Sequence, residues 1–201
     1  MRLSFFTALF ALLWLASCQH NPKPAATGNS KPVQPLLDST GAPVRGANPW
    51  ADAGCNLLTQ EEIVRYFSID VHRDAYNEHS AAGQGYCLRY WNKPDWASRD
   101  NATLKGAQAV SPRNSIATQI FNYGTAEMAR QQYEFNIKNR GDVYEEQVPG
   151  LGDGALWSNS TTTLLVWKGH LCLQLTLDWA DQPHDNLEKA RELAAMALKK
   201  M

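Results

Sequence analysis

Hydrophobic and polar positions alternate most regularly near the carboxyl end of the chain. Leu171, Leu173, Leu175, Leu177 and Trp179 share one parity, while His170, Cys172, Gln174, Thr176 and Asp178 share the other. A strand sends such sets to opposite faces, so residues 170–179 are predicted to lie with one face on a core and the other polar or partly covered. The apolar run at 161–167 precedes it across Lys168-Gly169, which predicts a hairpin. Further strands are predicted at 86–91 and 116–123, and an extended segment at 143–148. The Pro149-Gly150-Leu151-Gly152-Asp153-Gly154 stretch must turn. Helical spacing takes over in three places. Thr59-Gln60-Glu61-Glu62 has the form of a capping box ahead of Ile63, Val64, Tyr66 and Phe67. Gly124-Thr125 opens a second helix, with Met128, Gln131 or Gln132, Phe135 and Asn139 along one flank. Asp185-Asn186-Leu187-Glu188 opens a third, which presents Leu187, Ala190, Leu193, Ala194, Ala197 and Leu198 at helical spacing. The mostly polar stretch 92–114 reads as a long loop. Together these elements predict an α+β domain: an antiparallel sheet with two or three helices packed mainly on one face.

The amino-terminal pattern is of another kind. After Arg2, an apolar run from Phe5 to Leu15 is followed by the small pair Ala16-Ser17 and then Cys18. That run is too short to span a bilayer comfortably and has the layout of a secretory signal, predicted over residues 1–17. Leu15-Ala16-Ser17-Cys18 resembles the lipobox of bacterial prolipoproteins at all of its positions. The resemblance implies cleavage before Cys18, a thioether-linked diacylglycerol on that cysteine, and acylation (typically palmitate) of the new terminus. Several acyl chains, at about 0.8 kcal/mol per buried methylene, make a durable membrane anchor. Gln19 stands where an Asp would imply inner-membrane retention, so the expected destination is the outer membrane, facing the periplasm. Residues 18–49, rich in small and polar residues and interrupted by Pro22, Pro24, Pro32, Pro35 and Pro43, are predicted to be a disordered tether. The remaining 50–201 suffices for one domain with a core of its own.

Charge and cysteine usage narrow the setting. The formal net charge of the chain is −1, and loss of Arg2 with the signal makes the mature form slightly more acidic. With no long Lys/Arg run, nucleic acid is not an expected partner. Beside Cys18 the chain has Cys55, Cys87 and Cys172, an odd set for an oxidising compartment. Cys55 with Cys87 is the preferred disulfide. Cys87 with Cys172 is its rival, because spacing alone does not settle connectivity.

Cys55-Asn56-Leu57-Leu58-Thr59-Gln60-Glu61-Glu62 is similar to the Cys-x-Leu-Leu-Thr-x-x-Glu opening of small bacterial envelope lipoproteins, and Gly150-Leu151-Gly152-Asp153-Gly154-Ala155 to their Gly-Leu-Gly-Asp-x-Ala turn. In those proteins a second cysteine follows in a strand, as Cys87 does here. The resemblance implies a compact α+β domain and transfers no catalytic residue.

Reactive chemistry is sparse. The sequence has no phosphate-binding Gly-x-x-x-x-Gly-Lys-Ser/Thr, no His-Glu-x-x-His and no Gly-x-Ser-x-Gly. Asp153 supplies one carboxylate, too few for calcium. His170 and Cys172 sit two apart on one strand, about 7 Å from each other and beyond ordinary hydrogen-bond reach. His72, Glu78 and His79 offer metal-ligand types at an unspecific spacing. No catalytic residue, metal or cofactor is therefore assigned. Tyr86 to Trp96 is richer in interface chemistry, since Trp and Arg are residue types that anchor complexes. Arg89, Trp91 and Trp96 are the candidate partner-binding residues. The competing reading sends alternate members of this stretch, Trp91 among them, into the core. The expected function is a membrane-anchored protein-binding module (adaptor, inhibitor or immunity-type) with an envelope protein as partner. The alternative is a lipid-anchored enzyme on cell-wall or glycan substrates, working through Glu145, Glu146 or Asp153. Mass spectrometry of the purified protein should find a mature end at a triacylated Cys18; an intact Met1 or an unmodified Cys18 thiol would overturn the anchor.

Overall fold

The computed structural model describes residues 48–104 and 111–201. The predicted signal peptide, Cys18 and the tether up to residue 47 lie outside the described residues. The domain already includes Asn48, whose side-chain amide donates to the Ile120 carbonyl at 3.1 Å. No helix among the described residues is long and apolar enough to cross a membrane.

Seven strands form one antiparallel sheet. In chain order they are β1 (Asn77–Ala81), β2 (Tyr86–Asn92), β3 (Arg113–Asn122), β4 (Glu146–Gln147), β5 (Gly154–Ser158), β6 (Thr163–Lys168) and β7 (Leu171–Asp178). Across the sheet the order is β1-β2-β3-β7-β6-β5-β4, with every neighbouring pair antiparallel. Four α-helices accompany it among the described residues: α1 (Gln60–Phe67), α2 (Trp96–Leu104), α3 (Ala126–Asn139) and α4 (Pro183–Leu198). The α+β class is as the sequence predicts.

The predicted hairpin forms between β6 and β7, and the period-two pattern of β7 divides two hydrophobic clusters. Leu171, Leu173, Leu175 and Leu177 are buried with Ile116, Ile120, Leu164 and Val166 of neighbouring strands, beneath α1 and α4. Each such leucine contributes roughly 1.5–3 kcal/mol on burial. Cys172, Leu165, Trp167 and Leu156 point the other way and join Ala129 and Tyr133 of α3. Helices therefore occupy both faces, α1 and α4 on one and α3 on the other. The second face of β7 reads as polar because Gln174, Thr176 and Asp178 follow Cys172, yet the Trp167 end of that face needs a cover.

Local signals behave as their chemistry demands. The capping box at Thr59 forms in both directions, with Thr59 N–H donating to Glu62 at 2.7 Å and Glu62 N–H to Thr59 Oγ1 at 3.3 Å. In α3 the buried line runs through Ala129, Tyr133 and Asn136, while Phe135, expected inward, is 52% exposed. The short Ala129 permits close approach, and the Tyr133 ring fills the space where a Cβ on Gly154 would stand. Helix α4 starts earlier than predicted, with Pro183 at the first helical position, where its missing N–H costs nothing. Asn186 is thereby released from capping: it accepts from the N–H groups of Trp179 and Ala180 and donates to the Ala180 carbonyl.

Two segments depart from expectation. Strand β1 lies in a stretch with no apolar alternation, because it is an edge strand whose residues are nearly all exposed. The predicted loop 92–114 contains α2, whose described side chains bury nothing fully. Pro94, Gly106 and Pro112 carry the loop reading, and α2 fits between the first two of them.

The Gly-Leu-Gly-Asp turn is structural. Gly152, at φ +53°, has no room for a side chain, since a Cβ would meet the Trp167 carbonyl at 2.1 Å. Asp153 donates its N–H to that carbonyl and accepts from Gly169 N–H, which closes the β6–β7 hairpin.

Cys55 and Cys87 form the disulfide and Cys172 is a buried free thiol, so the rival pairing is excluded. The bond joins a short 3-10 turn (Gly54–Asn56) to β2, and Gly54 packs so tightly on the Gly85 backbone that a Cβ would lie 2.5 Å from it. Replacing both cysteines by alanine should lower the unfolding free energy by about 3–4 kcal/mol for a loop of this span. The shift of the urea midpoint measures this, and an unchanged midpoint would contradict a stabilising cross-link.

Candidate functional site

The inward parity of β2 and the residue after it is Cys87, Arg89, Trp91 and Lys93, all buried. Each has a directed partner. Arg89, 1% exposed, donates from Nε to Glu78 Oε2 at 2.7 Å and from Nη2 to the Cys55 carbonyl at 2.8 Å. Lys93 Nζ lies 3.0 Å from Asp178 and 3.4 Å from Asp181. Trp91 donates its indole N–H to Asn114 Oδ1 at 2.9 Å in the amide orientation that also gives the Asn114 NH2 the Trp179 carbonyl at 3.1 Å.

The Trp91 ring forms the back of a groove of about 450 Å³ at the end of the sheet, between the carboxyl end of α1 and the start of α2. Phe67 lies beside it, with ring centroids 5.0 Å from Trp91 and 6.2 Å from Trp179. Ser68, in the left-handed conformation at φ 55°, ends α1 and turns the chain along the groove. Trp96 and Trp179 line the mouth, 44% and 37% exposed. Lys189 Nζ sits 5.7 Å from the Trp179 ring and 5.0 Å from that of Tyr66, favourable positions for a cation over a π-face. The Tyr66 hydroxyl donates to Glu192, and burial together with that carboxylate pushes its pKa well above the ordinary phenol value.

Of the three candidate partner-binding residues, then, only Trp96 reaches the surface. Arg89 and Trp91 hold the frame: a strand whose neighbours cover one face sends residues of the same parity inward together. Trp179 is the member that sequence reasoning missed. Its place on the inward parity of β7 gave a core reading, but the strand ends at Asp178 and the chain turns there.

A second cavity of about 530 Å³ lies across Lys93, lined by Ser160, Thr161, Thr162, Asp178, Asp181 and Asn186. Arg99 of α2 reaches Asp181 with both terminal nitrogens, at 2.9 and 3.0 Å, and Asp95 with Nε at 2.7 Å. The Arg99 guanidinium, supported by Lys93, holds the Asp181 carboxyl below the usual carboxylate range.

The other chemical candidates disperse. Glu78 and His79 are adjacent in β1 and face opposite sides of the sheet, so they cannot close on one ion. Cys55, Cys87 and Glu78 do converge within 4.8 Å, but both sulfurs are committed to the disulfide and Glu78 to Arg89. Burial drives the Cys172 thiol far up from its ordinary pKa, which leaves no thiolate for attack, and His170 is exposed in the hairpin turn. Glu145 accepts from Asn159 N–H at 3.0 Å and Asp153 from Gly169 N–H at 2.6 Å, so both carboxylates brace turns.

The chain matches no protein-family model, no curated protein and no solved structure in any of the three comparisons. Asn114→Leu should strand the Trp91 N–H and free the Trp179 carbonyl, at a cost of about 2 kcal/mol. Chemical denaturation with a tryptophan-fluorescence readout tests this; a loss under about 0.5 kcal/mol would remove Asn114 from its bridging role.

Proposed function

We propose that this chain is a lipid-anchored envelope lipoprotein whose folded domain is a protein-binding module, and that the aromatic groove receives an apolar side chain of an envelope protein partner. The observation that carries the reading is the pair Trp96 and Trp179, exposed at the mouth of a groove whose back, Trp91 and Phe67, is already fixed by packing and hydrogen bonds. Exposed indoles over a recess backed by fixed aromatic rings and rimmed by polar groups such as Arg73 and Asp74 give contact area with little side-chain entropy left to lose, the pattern of interface hot spots. The anchor at Cys18 and the tether that follows support the same reading, because they would hold such a groove at a membrane surface with reach to spare.

The enzymatic alternative draws less support. Glu145, Glu146 and Asp153 line neither cavity, and two of the three are engaged in turns. General acid–base work needs carboxylates that converge on one bond.

A photo-crosslinking amino acid at position 96, expressed in intact envelopes, should give one discrete protein adduct, while the same probe at Glu134 on the outer side of α3 should not. Trp179→Ala should weaken that capture by roughly 30-fold, the scale of a 2 kcal/mol hot spot. Equal adducts from both positions, or turnover of peptidoglycan fragments that depends on Glu146, would defeat the binding reading.

A further inference from the structure

Among the described residues, helix α2 is attached to the domain differently from the other helices. Helices α1, α3 and α4 each bury apolar side chains in a hydrophobic cluster. None of the described side chains of α2, Trp96 to Asn101, belongs to either cluster, and all are exposed except Arg99, which is partly buried. Among the described residues its side-chain hydrogen bonds to the body run through the two-pronged Arg99–Asp181 pair, with Asp95 steadying the same guanidinium. Backbone bonds among the described residues hold its root, where Lys93 N–H meets the Pro112 carbonyl and Trp96 N–H meets the Lys93 carbonyl.

The receiving side is stiff. Asp181 follows Trp179 and Ala180, whose N–H groups are fixed by buried Asn186. Lys93, only 4% exposed, backs the same carboxylate from within. One short loop therefore carries both a wall of the groove, Trp179, and the acceptor for α2, Asp181. Trp96, which lines the same groove, is the first residue of α2.

We infer that α2 is a charge-latched arm, and that the Arg99–Asp181 pair sets the gap between Trp96 and Trp179 and so regulates entry to the groove. With the latch closed, the two indoles are held at a fixed separation. When it opens, α2 pivots about the Lys93-Pro94-Asp95 root and carries Trp96 away, while Trp179 and Trp91 stay in place. Asp181 and Asp95 are largely exposed, so ionic strength screens the latch, whereas the apolar seating of α1 and α4 is not weakened by salt. The consequence for entry rests on the groove being the binding site, but the movement of α2 does not.

Hydrogen exchange of the purified full chain tests the latch without a partner. Asp181→Asn, and independently Arg99→Gln, should speed exchange at the α2 amides by about threefold to fivefold, the range of an exposed ion pair of up to about 1 kcal/mol. Amides of α4 and β7 should be unchanged, and Asp181→Glu should restore most of the protection. Raising the salt concentration on the unaltered protein should reproduce the effect, which keeps the test valid if either variant is poorly folded. Unchanged α2 exchange in both variants and at high salt would overturn the latch even if crosslinking from position 96 succeeds. Faster exchange with no partner adduct would instead leave the latch standing and remove the binding reading.

Discussion

Strand β2 makes a demand that apolar packing cannot meet. Its inward parity carries a half-cystine, an arginine and a tryptophan, with a lysine next in line, and each needs a partner placed in direction as well as in distance. A buried guanidinium or ammonium without its acceptor is costly enough to reject the arrangement altogether. Glu78 must therefore sit opposite Arg89, the Cys55 carbonyl must approach from the 3-10 turn, and the loop after β7 must bring Asp181 to Lys93. These conditions fix the edge strand, the amino-terminal turn and the β7–α4 connection at once.

The two halves of the sheet thus solve different problems. Along β5, β6 and β7 the inward residues are large and apolar, and α4 seals them by burying leucine and alanine. Those contacts are numerous, non-directional and tolerant of small shifts. Along β2 the contacts are few and directional, and they leave an aromatic recess at the sheet end. The groove exists because Trp91 and Phe67 are immobilised there while the chain on either side departs, into α2 and into the loop that carries Trp179. The groove thus has a back fixed by packing and hydrogen bonds and a flank, Trp96, on a helix whose described side chains bury nothing fully.

Other residues that look chemical have become mechanical. Asp153 closes a hairpin, Glu145 braces the β5–β6 turn, and Cys172 is a small apolar filler beneath α3. Arg89 belongs with them: its charge is spent inside the domain, and the surface neither sees nor needs it. A residue type that can do chemistry does so only where convergence and access are both provided.

Much of the frame was legible from the order of residues. The leucine alternation of β7, the Lys168-Gly169 turn, the Thr59 capping box and the helical spacing of α4 are local patterns with local causes, and each formed where expected or within a few positions of it. The preference for Cys55 with Cys87 also held, although loop length alone could not have excluded Cys172. What the order could not contain was which face each residue would meet. Strand parity allowed Trp91 a core place, yet only the fold backs it with Asn114 from another strand and leaves Trp96 at the root of a helix whose described side chains bury nothing fully. Trp179 becomes a groove wall only because β7 stops one residue before it, and Asp181 is paired only because Lys93 and Arg99 reach it from more than eighty positions upstream. Periodicity is a property of neighbours along the chain and survives as local structure. Exposure and ion pairing are properties of neighbours in space, and only the closed sheet with its helices decides them.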